Sequence, residues 1–174
     1  MVKFSYYNND KSLDRVWFDS SNVYYGECDD SSNNQYKTVR IVFKNGLMYQ
    51  YNNVLITDWL DFKHAQSQGK AVREILMARG YEYSKLDHRA DIEGLETIAD
   101  KIQNKVVTIE LRKDDGYLVA TDFNEKVISE IDFKAYDHED VQYLLIRDIV
   151  ALLKNVGYSV KLSSDLEDKF PIKD

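Results

Sequence analysis

The residue types that most often perform covalent or acid–base chemistry are few in this chain of 174 residues. It has one cysteine, Cys28, and three histidines, His64, His88 and His138. Cys28 and His64 would make a nucleophile–base dyad if the fold brought them together, but a half-buried strand cysteine is the simpler interpretation. The sequence contains no HExxH, Gly-rich phosphate-loop or GxSxG motif. We therefore expect a protein that is not an enzyme and that needs no cofactor.

A second candidate for chemistry is the acidic segment around His138. Asp137, Glu139 and Asp140 flank this histidine, and such a group of side chains could ligate a metal ion. Acidic residues are also typical of a helix start, where Asp137 would accept a hydrogen bond from a free backbone amide and the others would face the positive end of the helix dipole. We favour the helix start, so no metal site is predicted.

Negative charge is concentrated after residue 90. Residues 1–90 contain 12 Lys and Arg against 11 Asp and Glu, whereas residues 91–174 contain 11 against 19. Spaced carboxylates on a small rigid body can imitate a nucleic-acid backbone and occupy the basic surface of another protein. An acidic surface that only keeps the protein soluble is the alternative. The predicted partner-binding face consists of Asp114, Asp115, Asp122, Glu125, Asp137, Glu139 and Asp140.

A basic face with aromatic neighbours is the competing candidate for a binding site. Between residues 63 and 89 the sequence has six Lys and Arg against three acidic residues. Cations beside aromatic rings can hold single-stranded RNA through phosphate contacts and base stacking. An ordinary solvated helix face is the alternative. The predicted nucleic-acid face consists of Arg40, Lys44, Tyr49, Lys70 and Arg73.

A hairpin and two helices must position this basic face. Residues 39–43 alternate between inward and outward positions, and Asn45-Gly46 then follows. Asn-Gly between alternating apolar residues predicts a hairpin, because both residues tolerate the positive φ of a type I′ turn. The remaining predictions for this half are strands over 23–28 and 47–51, a helix capped by Thr57, a second helix over 70–79, and a short strand or mobile arm over 1–15.

The second half of the chain predicts a helix, a three-stranded meander, a helix and a last strand. These elements span residues 91–104, then 105–112, 117–123 and 126–133, then 138–155 and 158–162, followed by a polar tail over 163–174. The fold class is therefore α+β, with two small units that each have an antiparallel sheet and packed helices. We place the units at residues 1–85 and 86–174.

Residues 18–75 contain a series of short motifs, namely Ser20-Ser21, Phe43 followed by Gly46, Tyr49-x-Tyr51, Ala65-x-Ser67-x-Gly69 and Ile75. With this series, residues 18–75 resemble the KTSC domain, a family named from the C-terminal extension of some lysyl-tRNA synthetases. The chain departs from the family pattern at Val54-Leu55, where Val-Pro is usual. The resemblance implies a small strand-rich α+β module, no established catalytic residues, and a link to RNA through the synthetase context.

The leading functional hypothesis is a non-catalytic inhibitor or adaptor whose acidic half engages a basic protein such as a nuclease. Small acidic proteins of this composition resemble phage-borne inhibitors, anti-CRISPR proteins among them. The alternative is an RNA- or tRNA-binding module that uses the basic face. One cysteine suggests a reducing, cytoplasmic setting, and the lack of an apolar run of 18 or more residues argues against a membrane span.

Overall fold

The computed structural model describes residues 1–171. The chain divides into two compact units, Met1–Leu95 and Glu96–Asp174. The structure therefore divides after Leu95, later than the predicted boundary after residue 85. The indole Nε1 of Trp17 donates a hydrogen bond of 3.2 Å to the carbonyl oxygen of Leu95. This contact joins the segment before Leu95 to the sheet of the first unit.

Six antiparallel strands form the sheet of the first unit, in the same order in space as in the sequence. They are β1 (Val2–Asn8), β2 (Leu13–Phe18), β3 (Val23–Asp29), β4 (Tyr36–Phe43), β5 (Met48–Leu55) and β6 (Tyr83–Lys85). The strands predicted over residues 23–28, 39–43 and 47–51 are confirmed as β3, β4 and β5. β1 pairs with β2, so residues 1–15 form strands and not a mobile arm. The side chains of β1 alternate between half-buried and exposed, as expected for a strand with one covered face.

The hairpin between β4 and β5 closes through three residues, whereas a two-residue type I′ turn was predicted. Gly46 has φ +81°, the Phe43 amide donates to the Leu47 carbonyl at 2.9 Å, and the Gly46 amide donates to the Phe43 carbonyl at 2.8 Å. This pattern is a type I turn followed by a left-handed glycine. As a result, Ile41 lies opposite Tyr49 and the apolar faces of the two strands coincide.

Three helical segments cover one face of this sheet. They are α1 (Ile56–His64), α2 (Gln68–Ala71) and a π-helical segment (Val72–Met77) that continues α2. Trp59 and Phe62 of α1 are fully buried in the core of the unit. Thr57 does not cap α1, because Leu55 occupies the N-cap position and Thr57 lies inside the helix. Tertiary packing, and not a capping side chain, therefore fixes the start of α1.

The second unit contains a four-stranded sheet in the order β10-β7-β8-β9. The elements after the first unit's strands are α3 (Ile92–Gln103), β7 (Val106–Leu111), β8 (Tyr117–Thr121), β9 (Val127–Asp132), a 3₁₀ turn (Phe133–Ala135), α4 (Glu139–Asn155), β10 (Ser159–Leu162) and α5 (Ser164–Lys169). The antiparallel pairing of β7, β8 and β9 confirms the predicted meander. The predicted α+β class is confirmed, and this sheet is antiparallel except at its β10 edge, where β10 is parallel to β7. A helical crossover explains the difference, because α4 returns the chain before β10 begins.

The polar tail predicted after residue 163 is partly helical and partly buried. α5 buries Leu166, and the ring of Phe170 meets that of Phe133 edge-on at a centroid distance of 6.1 Å. The rest of this core is formed by Val107, Ile109, Leu118, Ala120, Ile146 and Val150. Leu166 and Phe170 lie in a charged stretch, and these two apolar residues form too weak a pattern to predict a helix. Residues 172–174 of the predicted tail lie outside the described residues.

α4 is the longest described helix, with 17 residues. Its side chains Ile146 and Val150 are buried, whereas Arg147 and Asp148 are exposed. This alternation is typical of a helix that packs one face on a sheet. No helix within residues 1–171 has the length and apolar character needed to cross a membrane.

Candidate functional site

A cleft of about 560 Å³ opens on the helix-covered side of the sheet in the first unit. Its walls come from the loop before β3, the β4–β5 hairpin, β6, α2 and the π-helical segment. The volume lies within the range of pockets that hold small ligands or parts of larger ones. The cleft therefore has the size of a binding site, and its side chains decide which ligand it suits.

A row of aromatic rings forms one side of the cleft. Phe43 and Tyr49 meet edge-on at a centroid distance of 5.6 Å, and Tyr83 lies 6.1 Å from Tyr49 and 5.6 Å from Tyr51. Tyr51 and Tyr83 are adjacent because they pair directly across β5 and β6. Tyr83 is 53% exposed, so part of its ring is open to a ligand.

Burial and neighbouring rings keep the phenol at the base of this row neutral. Burial, with smaller contributions from the nearby Tyr83 and Tyr49 hydroxyls, raises the pKa of the Tyr51 hydroxyl to about 12. Tyr51 therefore carries no negative charge at physiological pH. The aromatic side of the cleft presents uncharged, planar surface.

Two cations, Lys44 and Arg73, also line the cleft. Lys44 lies in the β4–β5 loop and Arg73 in the π-helical segment, and both are exposed. None of the described lining residues is acidic. Lys85, also exposed, lies directly across from Tyr49 on β6. The cleft thus joins aromatic surface with positive charge.

The π-helical segment supplies several of these side chains and was not predicted. The amide of Ala78 donates to the carbonyl of Arg73 at 2.9 Å, the five-residue spacing of a π-helix. Val72, Arg73 and Met77 of this segment all line the cleft. π-Helical turns occur frequently at functional sites. The sequence predicted a helix over 70–79, and a helical pattern alone gives no signal for the wider turn.

A buried carboxylate holds the chain that leads into β6. Asp58 of α1 is 1% exposed and accepts hydrogen bonds from the Arg79 guanidinium and from the Tyr81 hydroxyl. The Tyr81 hydroxyl in turn accepts a hydrogen bond of 3.2 Å from the Leu55 amide. These contacts fix the residues just before Tyr83, so Asp58 positions one side of the cleft from beneath.

Three of the five predicted nucleic-acid residues meet at the cleft, namely Lys44, Tyr49 and Arg73. Lys70 is exposed on α2 beside the lining residue Gly69 and lies 3.4 Å from the carboxylate of Glu74. The cleft therefore includes most of the predicted basic face. The lining residues that sequence reasoning missed include Ser21, Asn22, Met77 and Tyr83, which come from a loop, a π-helical turn and a three-residue strand.

Arg40 was wrongly grouped with these residues. It lies opposite Gln50, whereas Tyr49 lies opposite Ile41, so Arg40 and Tyr49 project from opposite faces of the sheet. The Arg40 guanidinium contacts the Glu27 carboxylate at 2.7 Å and the Gln50 side-chain oxygen at 3.1 Å. Its charge is thus compensated on the face away from the cleft.

Several predicted acidic residues hold turns of the second unit. Asp115 contacts Arg112 at 2.6 Å, and this partner lowers the pKa of the Asp115 carboxyl. Asp122 accepts hydrogen bonds from the amides of Asn124 and Lys126 at 2.8 and 2.9 Å. These two carboxylates are therefore committed to local structure.

The other predicted acidic residues are more exposed. Glu125 occupies a turn position with φ +65°, and Glu139 lies 3.3 Å from Lys169. Asp137 does not cap α4, because His138 occupies the N-cap position without a capping side-chain bond. Asp114, Asp137 and Asp140 are exposed and, within residues 1–171, have no ion-pair partner.

The cysteine considered for catalysis is a core residue. Cys28 is fully buried on β3, and burial raises the pKa of its thiol to about 12, with smaller contributions from Asp14 and Asp30. A neutral, inaccessible thiol is a poor nucleophile. His64, its predicted partner, is exposed at the end of α1. Within residues 1–171, no group of three or more His, Cys, Asp or Glu side chains is arranged to hold a metal ion.

Residues 33–81 of the chain match the family model of the KTSC domain. The match confirms the resemblance predicted for residues 18–75 and shifts it along the chain, so that Ser20-Ser21 lies outside and Tyr81 inside. It spans β4, β5, α1, α2 and the π-helical segment. The remaining parts of the chain have no recognised family. A search among curated proteins found no match.

The matched segment contains the larger part of the cleft. Lys44, Tyr49 and Arg73 lie within it, whereas Asn22 and Tyr83 lie outside it. The cleft is thus built on the family's own elements and completed by residues on either side.

Proposed function

We propose that the first unit is a non-catalytic module that binds single-stranded RNA in the cleft. The observation that supports this proposal is the meeting of Lys44 and Arg73 with the ring row of Phe43, Tyr49 and Tyr83 in one cleft. Cationic side chains neutralise phosphates, and exposed aromatic rings stack on unpaired bases. A double helix keeps its bases stacked inside, so it cannot use the rings.

Among the residues that the structure describes, the cleft lining has no acidic residue, and this favours RNA over the peptide ligands that we considered. Every charged residue among the described lining residues is basic. A basic peptide would be repelled, and an uncharged peptide would leave both cations without a partner. RNA provides planar bases and regularly spaced phosphates together. We therefore prefer RNA to a basic or an uncharged peptide as the ligand.

The test of this proposal is the salt dependence of RNA binding. Each phosphate contact with single-stranded RNA contributes about −0.7 to the slope of log affinity against log salt. We expect the double variant Lys44→Ala/Arg73→Ala to bind more weakly and to reduce the size of that slope by about 1.4. Fluorescence anisotropy with a labelled single-stranded RNA, between about 50 and 200 mM salt, measures both quantities.

The matched control is Lys101→Ala/Lys161→Ala, which removes the same charge from exposed positions of the second unit. This variant should keep the wild-type slope. An equal change of slope in both double variants would show that only overall charge matters. No salt-sensitive retention of single-stranded RNA or tRNA by the wild-type protein would end the proposal.

A second candidate function is the capture of a basic protein partner by the second unit, as an inhibitor or adaptor of the anti-CRISPR type. The observation that favours it is the set of three exposed carboxylates, Asp114, Asp137 and Asp140, that have no ion-pair partner within residues 1–171. Exposed uncompensated charge speeds association with an opposite surface. For either function we expect a cytoplasmic setting, which is supported by the single buried thiol of Cys28.

Charge reversal tests this second candidate. We expect Asp114→Lys/Asp137→Lys/Asp140→Lys to abolish salt-sensitive capture of a basic nuclease on immobilised protein, because repulsion replaces attraction. Asp115 and Asp122 are unsuitable for this test, since their substitution would disturb the turns that they hold. Reversal at Glu167→Lys and Asp168→Lys, two exposed acidic residues of α5, is the control. If capture survives the triple reversal, the acidic face does not bind the nuclease.

A further inference from the structure

We infer that the outer face of α4 binds a second copy of this chain, so that two copies pair through antiparallel α4 helices. The inference concerns the second unit and does not rest on the proposed binding of RNA. With about 3.6 residues per turn, the outer face lies on the side of α4 opposite to the buried Ile146 and Val150. Its residues are all exposed, and they are Val141, Leu144, Asp148, Ala151 and Leu152.

Apolar side chains make up most of the outer face. Val141 and Leu144 are 43% and 44% exposed, and Leu152 is 64% exposed. The core of the second unit packs against the other side of the helix, through Ile146 and Val150. A row of exposed apolar residues on a polar surface is typical of a contact with another macromolecule. The outer face is therefore a contact surface, and its spacing and charges indicate what covers it.

The spacing of the outer face fits a second helix. The alternating steps of three and four residues that form a coiled-coil seam are present at Val141, Leu144, Asp148 and Ala151. Leu152 lies directly beside this seam and widens it. Side chains at this spacing interlock with those of another helix that runs along the first. A helix therefore covers the outer face better than an extended strand or a flat surface would.

The charges beside the seam follow a definite order along α4. The exposed Asp140, Arg147 and Lys154 recur every seven residues, so they share one flank of the outer face. Arg147 lies 2.8 Å from the carboxylate of Asp148, which compensates its charge. The flank is therefore negative at its start and positive at its end. A uniformly basic helix would be repelled at Lys154 and a uniformly acidic one at Asp140, so the helix that fits carries the same charges in reverse order.

The α4 helix of a second copy supplies this reverse order when it runs antiparallel. Asp140 of each copy then lies beside Lys154 of the other, which gives two equivalent ion pairs about a two-fold axis near Arg147. The two helix dipoles also run in opposite directions, which is favourable. A parallel pair would instead bring together charges of the same sign. Because the seam is short and contains Asp148, the contact fixes the orientation of the two copies but is weak.

The mass of the full chain in solution, measured by analytical ultracentrifugation, tests the inference. At about 0.15 M salt, which screens the net charge of −7 beyond about 8 Å, we expect the mass to rise from one chain toward two between about 1 and 200 µM protein. Leu152→Glu should abolish this rise, because pairing would bury the new charge among apolar residues. Leu60→Glu, at an exposed leucine of α1, is the control and should keep the rise. A chain that stays monomeric, a rise that survives Leu152→Glu, or a rise that Leu60→Glu also abolishes would overturn the inference.

Exchange of the flank charges tests the antiparallel arrangement. Asp140→Lys and Lys154→Glu should each weaken self-association by at least about twofold, because each variant places like charges together at both ends of the contact. An equimolar mixture of the two variants should associate more tightly than either variant alone, since the mixed pair regains opposite charges at both ends. A mixture that associates no more tightly than its components would overturn the antiparallel pairing. None of these outcomes affects the proposed RNA binding, because the cleft lies in the first unit.

Discussion

Replacing Asp58 with alanine is expected to lower the free energy of unfolding of the first unit by about 3 kcal/mol. Asp58 is 1% exposed and accepts hydrogen bonds from Arg79 and Tyr81. Breaking a buried ion pair costs about 3 to 5 kcal/mol, and the lower end applies because the half-exposed Arg79 can return to water. Urea denaturation followed by tryptophan fluorescence measures the change, since Trp59 is buried next to Asp58 on α1.

Asp61→Ala is the matched control for this prediction. Asp61 lies three residues further along the same helix and is exposed, so its removal should change the free energy of unfolding by no more than about 0.5 kcal/mol. Asp58→Asn should be intermediate, because the carboxamide oxygen can still accept from Tyr81 but carries no charge for Arg79. Equal stability of Asp58→Ala and Asp61→Ala would show that the buried carboxylate does not stabilise the fold.

The role of Asp58 could not be predicted from the sequence. Asp58 and Asp61 are both acidic residues near the start of the same predicted helix, and the local sequence pattern does not distinguish them. The two residues differ because the side chains of Arg79 and Tyr81, more than 20 residues later in the sequence, donate hydrogen bonds to the buried Asp58. A long-range polar cluster has no period in the sequence, so only the fold reveals it.

The turn between β4 and β5 shows that a shift of one residue in strand register changes which side chains share a face of the sheet. The Asn45-Gly46 pair correctly predicted a hairpin, but the two-residue turn assumed for it shifts the register by one. With that register Arg40 would face Tyr51 and share its side of the sheet. In the structure Arg40 faces Gln50, and the predicted basic face loses one of its members.

Elements with strong periodicity were predictable, and short elements with tertiary roles were not. The β7–β9 meander and α4 follow from alternating and helical apolar patterns. β6 has only three residues, and Tyr83 enters the cleft because of its pairing with Tyr51. The π-helical segment keeps a helical composition while changing which side chains share a face. The candidate site depends on both of these short features, which is why the sequence predicted only part of it.

Replacing Tyr83 with alanine is expected to weaken the binding of single-stranded RNA by about 5- to 150-fold, since stacking of one base contributes about 1 to 3 kcal/mol. Tyr83 is the most exposed ring of the row and is 53% exposed, so its loss should remove stacking surface with little effect on the core. The slope of log affinity against log salt should stay at the wild-type value, because Lys44 and Arg73 keep their phosphate contacts. Anisotropy titrations at two salt concentrations separate the two effects.

Two further variants make this expectation specific to the cleft. Tyr83→Phe keeps the ring and should retain the wild-type affinity, which distinguishes stacking from hydrogen bonding by the hydroxyl. Tyr36→Ala removes a tyrosine of similar exposure, 46%, from a position of β4 that does not line the cleft. If Tyr36→Ala weakens RNA binding as much as Tyr83→Ala, the rings act through the general surface of the sheet. A loss confined to Tyr83→Ala, with an unchanged salt slope, would assign base stacking to the ring row and phosphate binding to the two cations as separable parts of one site.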